Sequence, residues 1–469
     1  MENRLLSVIL DTDSYKLSHW KQYPPNTTRM FSYFESRGGK YPVTVFFGLQ
    51  YYLKKYLTTP ITMAEVNEAA EFAELHGCPF NYLGWETIVR VYGGLLPIKI
   101  RAVPEGMVIP THNLLFSVES SVKDPDVFWV VSWIETMLVR VWYPTTIATN
   151  SWYARRKIMG YLNRTSDDPD GEINFKLHDF GSRGVTSQEQ AMLGGAAHLV
   201  NFMGSDTIAG IWMANKYYDC DMAGFSIPAA EHSTMSMWGK ENEVEAYRNM
   251  IKQYGHTPMF ACVSDTWDIY NACSNLWGGE LKDEVLKMNA TLVVRPDSGK
   301  PIEHVVLKVV QALDEKFGTI MNEKGFKVLN RVRVIQGDGI DIDSLDLILM
   351  RLESFGYSAT NIAFGSGGGL LQKDFNRDTQ KFAFKCSWAE IDGKEIDVYK
   401  DPVTDKGKKS KKGYLDLVVM PSGKFQTTIG KPGEDYPDSI LQTVFYNGNL
   451  VKEHTFNEVR DNARQAIID

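Results

Sequence analysis

The sequence of 469 residues lacks several features that define whole classes of protein. Its five cysteines are scattered and form no CxxC pair, which argues against a disulfide framework and against a zinc site. Positive charge is not in excess, since 58 acidic residues against 50 basic ones give a net charge of -8. General attraction to nucleic acid or to anionic membranes is therefore not expected, and any phosphate binding must be local.

Long hydrophobic runs are also missing. The first apolar stretch is too short for a signal peptide, and the most apolar later segment, residues 127–143, contains Glu135 and Arg140. We predict that this segment is a buried helix, with Asp124 as its N-cap and Pro125 at the first helical position. Together with the scattered cysteines, these features predict a cytoplasmic protein.

The composition itself is that of a globular protein with a large core, because 43% of the residues are hydrophobic and 23% are charged. Residues 1–125 and 380–469 mix short strand-like and helical stretches, and we predict that they form one mixed α/β flanking domain. Within the second stretch, a hairpin turn and two helices are predicted at Asn447-Gly448, 436–442 and 456–467. Residues 126–379 are predicted to form the α/β barrel described next.

A strand followed by a glycine-rich or acidic loop recurs three times between residues 257 and 370. The strands at 292–294, 332–335 and 361–364 lead into RPDSG, QGDG and GSGGG, and helices follow at least the first two loops. Alternating strands and helices predict a parallel sheet. Functional loops then lie at the carboxyl ends of the strands, whether the sheet is a barrel or an open doubly wound sheet.

These loops favour phosphate binding, because backbone N–H groups at a strand-to-helix turn can surround a phosphate. Tight-turn packing is the alternative for any single loop, but three successive loops with polar or charged neighbours favour the functional interpretation. Neither GxxxxGK[ST] nor GxGxxG occurs, so neither a Walker site nor a Rossmann dinucleotide site is indicated.

Charged residues near the loops have both functional and structural interpretations. Arg295 could bind a phosphate, and Asp297 could contact a sugar hydroxyl or a metal-bound water. The alternative is that the two side chains form an internal ion pair. Asp338 suits a ligand contact or a helix cap. His232 is either a catalyst or an ordinary structural histidine, and no HExxH spacing supports zinc.

Two further stretches leave alternatives open. In HDFGSRG, Phe180 lies close to Arg183, which suits a planar heterocycle joined to phosphate, although a core aromatic would look the same. Residues 400–412 carry six lysines, which is typical of a solvated loop and also of a mobile cationic lid over a polyphosphate.

Ordered motifs along the whole chain resemble those of the nicotinamide phosphoribosyltransferases. The motifs are DTDSYKLSHWKQYPPNT, VFFGLQYYLKKYL, HDFGSRG, AAEHST, SDTWDIYNAC, RPDSG, VIQGDG, FGSGGGLLQK, FKCS and DPVTDKGKKSKKG. The resemblance implies the type II phosphoribosyltransferase fold, an irregular α/β barrel with a second mixed α/β domain built from the N- and C-terminal segments. It also implies a homodimer with active sites at the subunit interface.

The implied reaction joins nicotinamide to the phosphoribosyl group of phosphoribosyl pyrophosphate, giving nicotinamide mononucleotide and pyrophosphate in NAD salvage. Mg²⁺ is the implied cofactor, and ATP is an implied coupling substrate that phosphorylates His232. Nicotinate phosphoribosyl transfer, a catalytically silent binding homologue and an unrelated phosphate-handling barrel are the alternatives. We expect no nucleic-acid or membrane partner.

The resemblance also assigns residues. Phe180 and the partner subunit's Tyr15 would sandwich the nicotinamide ring, and Asp206 would accept from its carboxamide N–H. Catalytic roles fall to His232, Arg295 and Asp297, and metal contacts to Asp268 and Asp297. The further substrate-binding residues are Asp13, Arg183, Ser264, Gly337, Asp338, Gly367, Gly368, Arg377, Lys385, Lys400 and Lys408.

Overall fold

The computed structural model describes residues 6–404, 409–433 and 436–465, which divide into two compact units. The sheet unit comprises Met1–Thr149, Lys216–Cys220 and Phe375–Asp469, and the barrel unit comprises Asn150–Asn215 and Asp221–Asp374. Among the described helices, none is long and apolar enough to cross a membrane.

The regular elements alternate between strands and helices mainly in the barrel unit. The strands are β1 (Thr27–Ser36), β2 (Val43–Val45), β3 (Ile98–Ala102), β4 (Val108–Pro110), β5 (Leu114–Ser120), β6 (Leu177–Asp179), β7 (Gly204–Ser205), β8 (Met259–Val263), β9 (Thr291–Arg295), β10 (Thr319–Met321), β11 (Lys327–Leu329), β12 (Val332–Gln336), β13 (Ile362–Ser366), β14 (Phe382–Ile391), β15 (Lys394–Asp397), β16 (Leu415–Val419), β17 (Phe425–Ile429), β18 (Gln442–Tyr446) and β19 (Asn449–Leu450).

The α-helices are α1 (Leu49–Tyr52), α2 (Met63–Leu75), α3 (Tyr82–Val91), α4 (Val130–Trp133), α5 (Glu135–Val139), α6 (Trp142–Thr165), α7 (Pro169–Glu172), α8 (Gln188–Leu199), α9 (Ile208–Tyr218), α10 (His232–Ser236), α11 (Glu243–Tyr254), α12 (Ile269–Asn271), α13 (Lys282–Lys287), α14 (Ile302–Phe317), α15 (Ile342–Ser354), α16 (Gly368–Leu371) and α17 (Phe456–Arg464). Turns of 3-10 helix lie at Ser14–Lys21, Ile173–Phe175, Ser182–Gly184, Lys240–Asn242, Ala359–Asn361 and Arg377–Thr379, and π-helix at Leu53–Leu57 and Ala272–Glu280.

The sheet unit is built on a seven-stranded antiparallel sheet in the order β15-β14-β1-β5-β3-β18-β19. Its core is aromatic: the Phe34 ring stacks on Phe116 and Phe382 with ring centroids 4.6 and 5.2 Å apart. Asn447 and Gly448, both with positive φ, join β18 to β19, which confirms the predicted hairpin.

The barrel unit contains six parallel strands in the order β7-β6-β13-β12-β9-β8. Residues 225–230 bond to both edge strands: the Ser205 N–H donates to Phe225 O at 3.0 Å, and the Ala230 N–H donates to Ala261 O at 3.0 Å. This segment closes the sheet, so the predicted irregular α/β barrel is confirmed and the open doubly wound alternative is wrong.

Helices α14 and α15 cover the strands whose loops the sequence singled out. On α14, Val306, Val309, Val310 and Leu313 are buried at the spacing of one helical face. Asp341 caps α15 by accepting from the backbone N–H groups of its first turn. The predicted order of strand, loop and helix is confirmed for both repeats.

Two helix predictions were wrong. Residues 127–143 contain two short helices, α4 and α5, separated at Ile134, because several N–H groups there bond three rather than four residues back. Residues 436–442 form no helix: they are a turn that leads into β18, where Gln442 pairs with Ala102.

Candidate active site

Most of the predicted site residues follow strands of the closed barrel at their carboxyl ends. Phe180 and Arg183 follow β6, Asp206 follows β7, His232 follows the closing segment 225–230, and Asp268 follows β8. Arg295 and Asp297 lie at the end of β9, Gly337 and Asp338 after β12, and Gly367 and Gly368 after β13. The fold therefore brings loops from all parts of the barrel unit to one rim.

Phe180 lies on this rim, directly after β6. Its backbone N–H donates to Ser366 O at 2.9 Å, and its partly buried ring packs against the barrel's interior cluster of Ala261, Val293 and Ile335. A Cβ at residue 365 would lie 1.9 Å from the ring, so glycine is required there. The Arg295 guanidinium lies 5.4 Å from the ring centroid, which places an aromatic face beside a phosphate-binding candidate.

Arg295 and Asp297 form a two-bond ion pair. Arg295 Nε donates to Asp297 Oδ1 at 2.9 Å and Nη2 donates to Oδ2 at 2.8 Å. A Cβ at Gly337 would come within 2.7 Å of Asp297 Oδ1 and 2.9 Å of Arg295 Nε, so the next loop presses its backbone onto the pair. The ion-pair alternative is therefore realised, and phosphate binding by Arg295 stays a prediction.

His232 is held by a carboxylate that sequence reasoning missed. His232 Nε2 lies 2.9 Å from Asp265 Oδ1, and the Ser298 hydroxyl donates to Asp265 Oδ2. The His232 side chain is 50% exposed whereas that of Asp265 is 4% exposed. The arrangement orients an accessible imidazole through a buried anion. The position of Asp265 directly after β8, within SDTWD, was the available signal.

Asp206 lies beside a second carboxyl group that was missed. Its backbone N–H donates to Asp179 O at 2.9 Å, and its Oδ1 accepts from the Ser226 hydroxyl at 2.6 Å, while the residue stays exposed. Asp179 is fully buried, and burial raises the pKa of its carboxyl group to about 6.

Two of the predicted residues bond to the protein itself. The buried Ser264 hydroxyl donates to Cys262 O and accepts from Trp277 Nε1, each at 3.0 Å. Asp268 caps α12 through the N–H groups of residues 270 and 271. Across the part of the chain that the structure describes, no three His, Cys, Asp or Glu side chains cluster as metal ligands. Substrate contact by Ser264 and metal contact by Asp268 stay predictions.

The glycine-rich loops after β12 and β13 differ in whether packing within the protein requires their glycines. At Gly368 a Cβ would meet no protein atom within 4 Å, so packing within the protein does not require a glycine there. The neighbouring Gly367 has backbone angles of φ -96° and ψ -103°. Asp338 is exposed, and its carbonyl accepts from the Gln336 side chain at 3.0 Å, which fixes the start of that loop.

The remaining predicted residues belong to the sheet unit. Tyr15 is 59% exposed, and Asp13 Oδ2 accepts from the Thr136 hydroxyl at 2.7 Å. Lys408 lies outside the described residues.

Lys385 marks a cationic group within the sheet unit. Burial lowers its pKa first, and although Glu135 raises it, Arg37, Lys400 and Arg377 lower it further. Arg37 was missed by the sequence analysis, and its Nε donates to Glu35 Oε1 at 2.8 Å. Neighbouring positive charges make this group a favourable place for a polyanion.

The stretch 400–412 is partly paired in its described portions. Lys409 bonds Asp401 at 2.8 Å, Lys411 bonds Glu35, and Lys412 lies 3.7 Å from Asp397. These pairs anchor the end of the stretch to the sheet unit. Whether the stretch acts as a lid stays a prediction.

Comparisons with known proteins agree with this geometry. The profile of the nicotinate phosphoribosyltransferase (NAPRTase) family matches residues 175–449, and that of the nicotinamide phosphoribosyltransferase N-terminal domain matches residues 7–100. The chain is 52% identical over 465 residues to a nicotinamide phosphoribosyltransferase of Xanthomonas campestris pv. campestris, with 98% of each chain covered. It is 31% identical to that of Acinetobacter baylyi, covering 97% of this chain and 96% of the relative.

Solved structures share the fold at low sequence identity. The nicotinate-nucleotide pyrophosphorylase of Pyrococcus furiosus matches with a TM-score of 0.63 and 14% identity, covering 99% and 98% of the two chains. Human nicotinic acid phosphoribosyltransferase matches with a TM-score of 0.52 and 16% identity, covering 97% and 93%. With the barrel, its rim and these relatives in agreement, the chain belongs to the nicotinate phosphoribosyltransferase family and, within it, to the nicotinamide phosphoribosyltransferases.

Proposed function

We propose that this chain transfers the phosphoribosyl group of phosphoribosyl pyrophosphate to nicotinamide, giving nicotinamide mononucleotide and pyrophosphate in NAD salvage. The observation that carries the proposal is the rim on which Phe180, Asp206 and the Arg295–Asp297 pair meet within one barrel. The names of the relatives, at up to 52% identity over nearly the whole chain, support the same reaction.

Recognition of nicotinamide rests on one aromatic ring and one carboxylate. The Phe180 ring stacks on the pyridine, an interaction worth about 0.5 to 1.5 kcal/mol. The exposed Asp206 carboxylate accepts a hydrogen bond from the neutral carboxamide N–H. The same carboxylate would repel the negative carboxylate of nicotinate, which makes the amide the preferred substrate.

The diphosphate end is bound by cations. Arg295, Arg183 and His232 bind pyrophosphate from the barrel rim, through charge-assisted contacts worth about 1.5 to 3 kcal/mol each. Gly337, Asp338, Gly367 and Gly368 approach the sugar and its phosphate. In the sheet unit, Arg377 also contacts the sugar and its phosphate, and Lys385, Lys400 and Lys408 bind polyphosphate. The effect of Lys400 and Arg377 on the pKa of Lys385 supports a shared cationic group.

The chemical step needs positioning more than acid or base catalysis. Nicotinamide N1 attacks the ribose C1, the new C1–N1 bond forms, and the bond from C1 to the pyrophosphate oxygen breaks. Positive charge develops at C1, and the Asp297 carboxylate stabilises it while contacting the ribose hydroxyls. Arg295 holds Asp297 in place through both carboxylate oxygens, so one ion pair serves the sugar and the leaving group.

ATP is the proposed coupling substrate. The γ-phosphoryl group passes to the His232 imidazole, ADP leaves, and the phosphohistidine is later hydrolysed to phosphate. The bond from Nε2 to Asp265 supports this role, because a carboxylate at one ring nitrogen orients the other toward the phosphorus and stabilises the charged ring.

Mg²⁺ fits these residues as an ion held mainly by substrate. In proteins Mg²⁺ takes one or two carboxylates and fills its other positions with phosphate oxygens and water. Asp297 and Asp268 are the carboxylates that would contribute, and no larger ligand cluster occurs among the residues described here. Bound there, the ion would neutralise charge on the diphosphate.

The proposed assembly is a homodimer in which the partner subunit's Tyr15 completes each site, and Asp13 is a further substrate-binding residue. The Tyr15 side chain, on the first turn of 3-10 helix, is 59% exposed and is therefore accessible to a partner subunit. A reducing, cytoplasmic compartment is proposed because all five cysteines are thiols.

A four-way assay tests the proposal. Pyrophosphate release is measured with nicotinamide or nicotinate, each with and without ATP. We expect strong preference for nicotinamide, with ATP raising the rate without being required. The H232A variant should lose ATP hydrolysis and keep ATP-independent synthesis. Equal or faster turnover of nicotinate would overturn the choice of substrate, and binding of nicotinamide without mononucleotide formation would indicate a silent homologue.

A further inference from the structure

A buried carboxyl group supports the loop that carries the Phe180 ring. Asp179 ends β6 and is fully buried, and its Oδ1 accepts from the Gly181 backbone N–H at 2.7 Å. Phe180 lies between these two residues, so this bond fixes the turn that presents its ring. None of the proposed substrate-binding roles involves Asp179 or explains why its carboxyl group is fully buried.

The same residue contacts the loop that recognises the carboxamide. The Asp179 carbonyl accepts from the Asp206 N–H at 2.9 Å. Next to Asp206, the Thr207 hydroxyl is buried and faces the Asp179 carboxyl group closely enough to lower its pKa, although burial has the larger effect and raises it. One residue thus touches the backbone of both nicotinamide-recognising loops.

Packing leaves little freedom around this contact. A Cβ at Gly181 would lie 2.6 Å from Leu371 Cγ and 3.0 Å from Asp179 Oδ1. The carboxyl group, the turn and the side chain of Leu371 therefore fit together in one arrangement. A displaced carboxyl group would release the turn and with it the position of the Phe180 ring.

We propose that Asp179 is a positioning residue for nicotinamide, which holds the Phe180 ring and Asp206 at the separation that the pyridine carboxamide needs. The inference rests on the proposed function. Asp179 acts through its bond to Gly181 and through the backbone of Asp206, and it does not touch the phosphoribosyl donor. Its loss should therefore affect one substrate selectively.

Steady-state kinetics with each substrate varied in turn provide the test. D179A should raise the KM for nicotinamide at least tenfold and change the KM for phosphoribosyl pyrophosphate less than twofold. D179N keeps an oxygen acceptor for the Gly181 N–H and should stay within about threefold of wild type. Asp168 offers a matched control, because its Oδ1 also accepts from a glycine N–H, that of Gly171 at 3.0 Å, away from the rim. D168A should leave both KM values unchanged.

Folding of each variant is checked by thermal melting. If D179A is not recovered folded, D179L replaces it, because its side chain is close in shape to that of aspartate but offers no acceptor to the Gly181 N–H, and the same selective rise is expected. Equal changes in both KM values, no change in either, or failure of D179N to restore the nicotinamide KM would overturn the inference while leaving the reaction intact. Wild-type protein that neither binds nor converts nicotinamide would overturn the reaction and the inference together.

Discussion

The two units of the molecule treat charge in opposite ways. On the barrel rim, four charged groups form two bonded pairs: Arg295 with Asp297, and His232 with Asp265. In the sheet unit, Lys385 is surrounded by other cations, which together with burial lower its pKa. Ion-paired side chains are held in position before a ligand binds. A cluster of like charges is instead stabilised when an anion binds, because the anion reduces the repulsion among them.

This difference assigns a different task to each unit. On the rim, paired charged groups are held in fixed positions and their charges nearly cancel. This arrangement suits the neutral nicotinamide and the transient positive charge at C1. In the sheet unit, Lys385 has three cationic neighbours and one acidic neighbour, Glu135, and this excess of positive charge suits the proposed polyphosphate. The chain as a whole is acidic, with a net charge of -8, so that positive group must act locally.

The largest expected effect comes from breaking the central pair of the rim. R295A removes the proposed phosphate contact and leaves the Asp297 carboxylate, 16% exposed, without its two-bond partner. We expect kcat/KM for phosphoribosyl pyrophosphate to fall at least about 100-fold, equivalent to about 3 kcal/mol. R248A is the control, because Arg248 bridges Glu245 and Glu284 on the surface of the same unit, where such pairs are worth about 1 kcal/mol or less. A similar loss in both variants would contradict the special role of the rim pair.

A smaller effect is expected when the pair is displaced rather than removed. In G337A the new Cβ would overlap Asp297 Oδ1 at 2.7 Å and Arg295 Nε at 2.9 Å, so the pair must shift. We expect kcat/KM to fall about tenfold with little change in melting temperature, since a misplacement of this kind weakens positioning. G160A, in helix α6, adds the same methyl group where the nearest atom is 3.7 Å away, and it should leave kinetics unchanged. Wild-type kinetics in G337A would show that the pair tolerates movement.

The sequence was most informative where local signals and the fold agreed. Apolar strands followed by glycine-rich loops predicted β9, β12 and β13 correctly, because parallel strands inside a barrel are buried on both faces. Closure was not predictable in detail, since the segment 225–230 makes only isolated bridges and carries no strand pattern. The single helix predicted for residues 127–143 was wrong because an apolar sequence is equally compatible with two short helices and with one long helix.

The sequence predicted which loops carry the candidate site residues, but it did not predict which side chains those residues contact. Phe180, Asp206, His232 and Arg295 were named from motifs that resemble a family, and the structure places all four at one rim. Asp265 was missed because nothing in a sequence shows which of several acids accepts from a histidine. Asp179 was missed for a similar reason: its importance lies in burial and in a bond to Gly181, and both depend on the tertiary fold.

The cationic group around Lys385 in the sheet unit gives a third, smaller expected effect. K385M keeps the length of the side chain and removes its charge from a place where burial and three neighbouring cations already disfavour it. We expect the KM for phosphoribosyl pyrophosphate to rise about tenfold at low salt, with a smaller difference at high salt because exposed charges are then screened. K123M, which removes a surface lysine paired with Glu390 at 2.9 Å, should change neither KM nor its salt dependence. An unchanged KM in K385M would remove the polyphosphate role from this group.

The last expected effect is on stability rather than on kinetics, and it concerns Asp179, a buried rim carboxyl group that pairs with no cation among the described residues. Burial raises the pKa of Asp179 from 3.8 to about 6, so the folded protein prefers the protonated form more than the unfolded chain does. Stability is therefore lost as pH rises from 3.8 to about 6, by up to about 3 kcal/mol, and stays reduced above it. D179N removes this loss, and thermal melts should show a higher melting temperature than wild type at pH 8 and a smaller difference at pH 5. At Asp341, burial acts in the same direction, but the Ser344 N–H and Lys373 outweigh it and lower the pKa, so D341N should be destabilising at pH 8. If D179N also melted below wild type at pH 8, the buried carboxylate would be stabilising, and its retention would need no functional explanation.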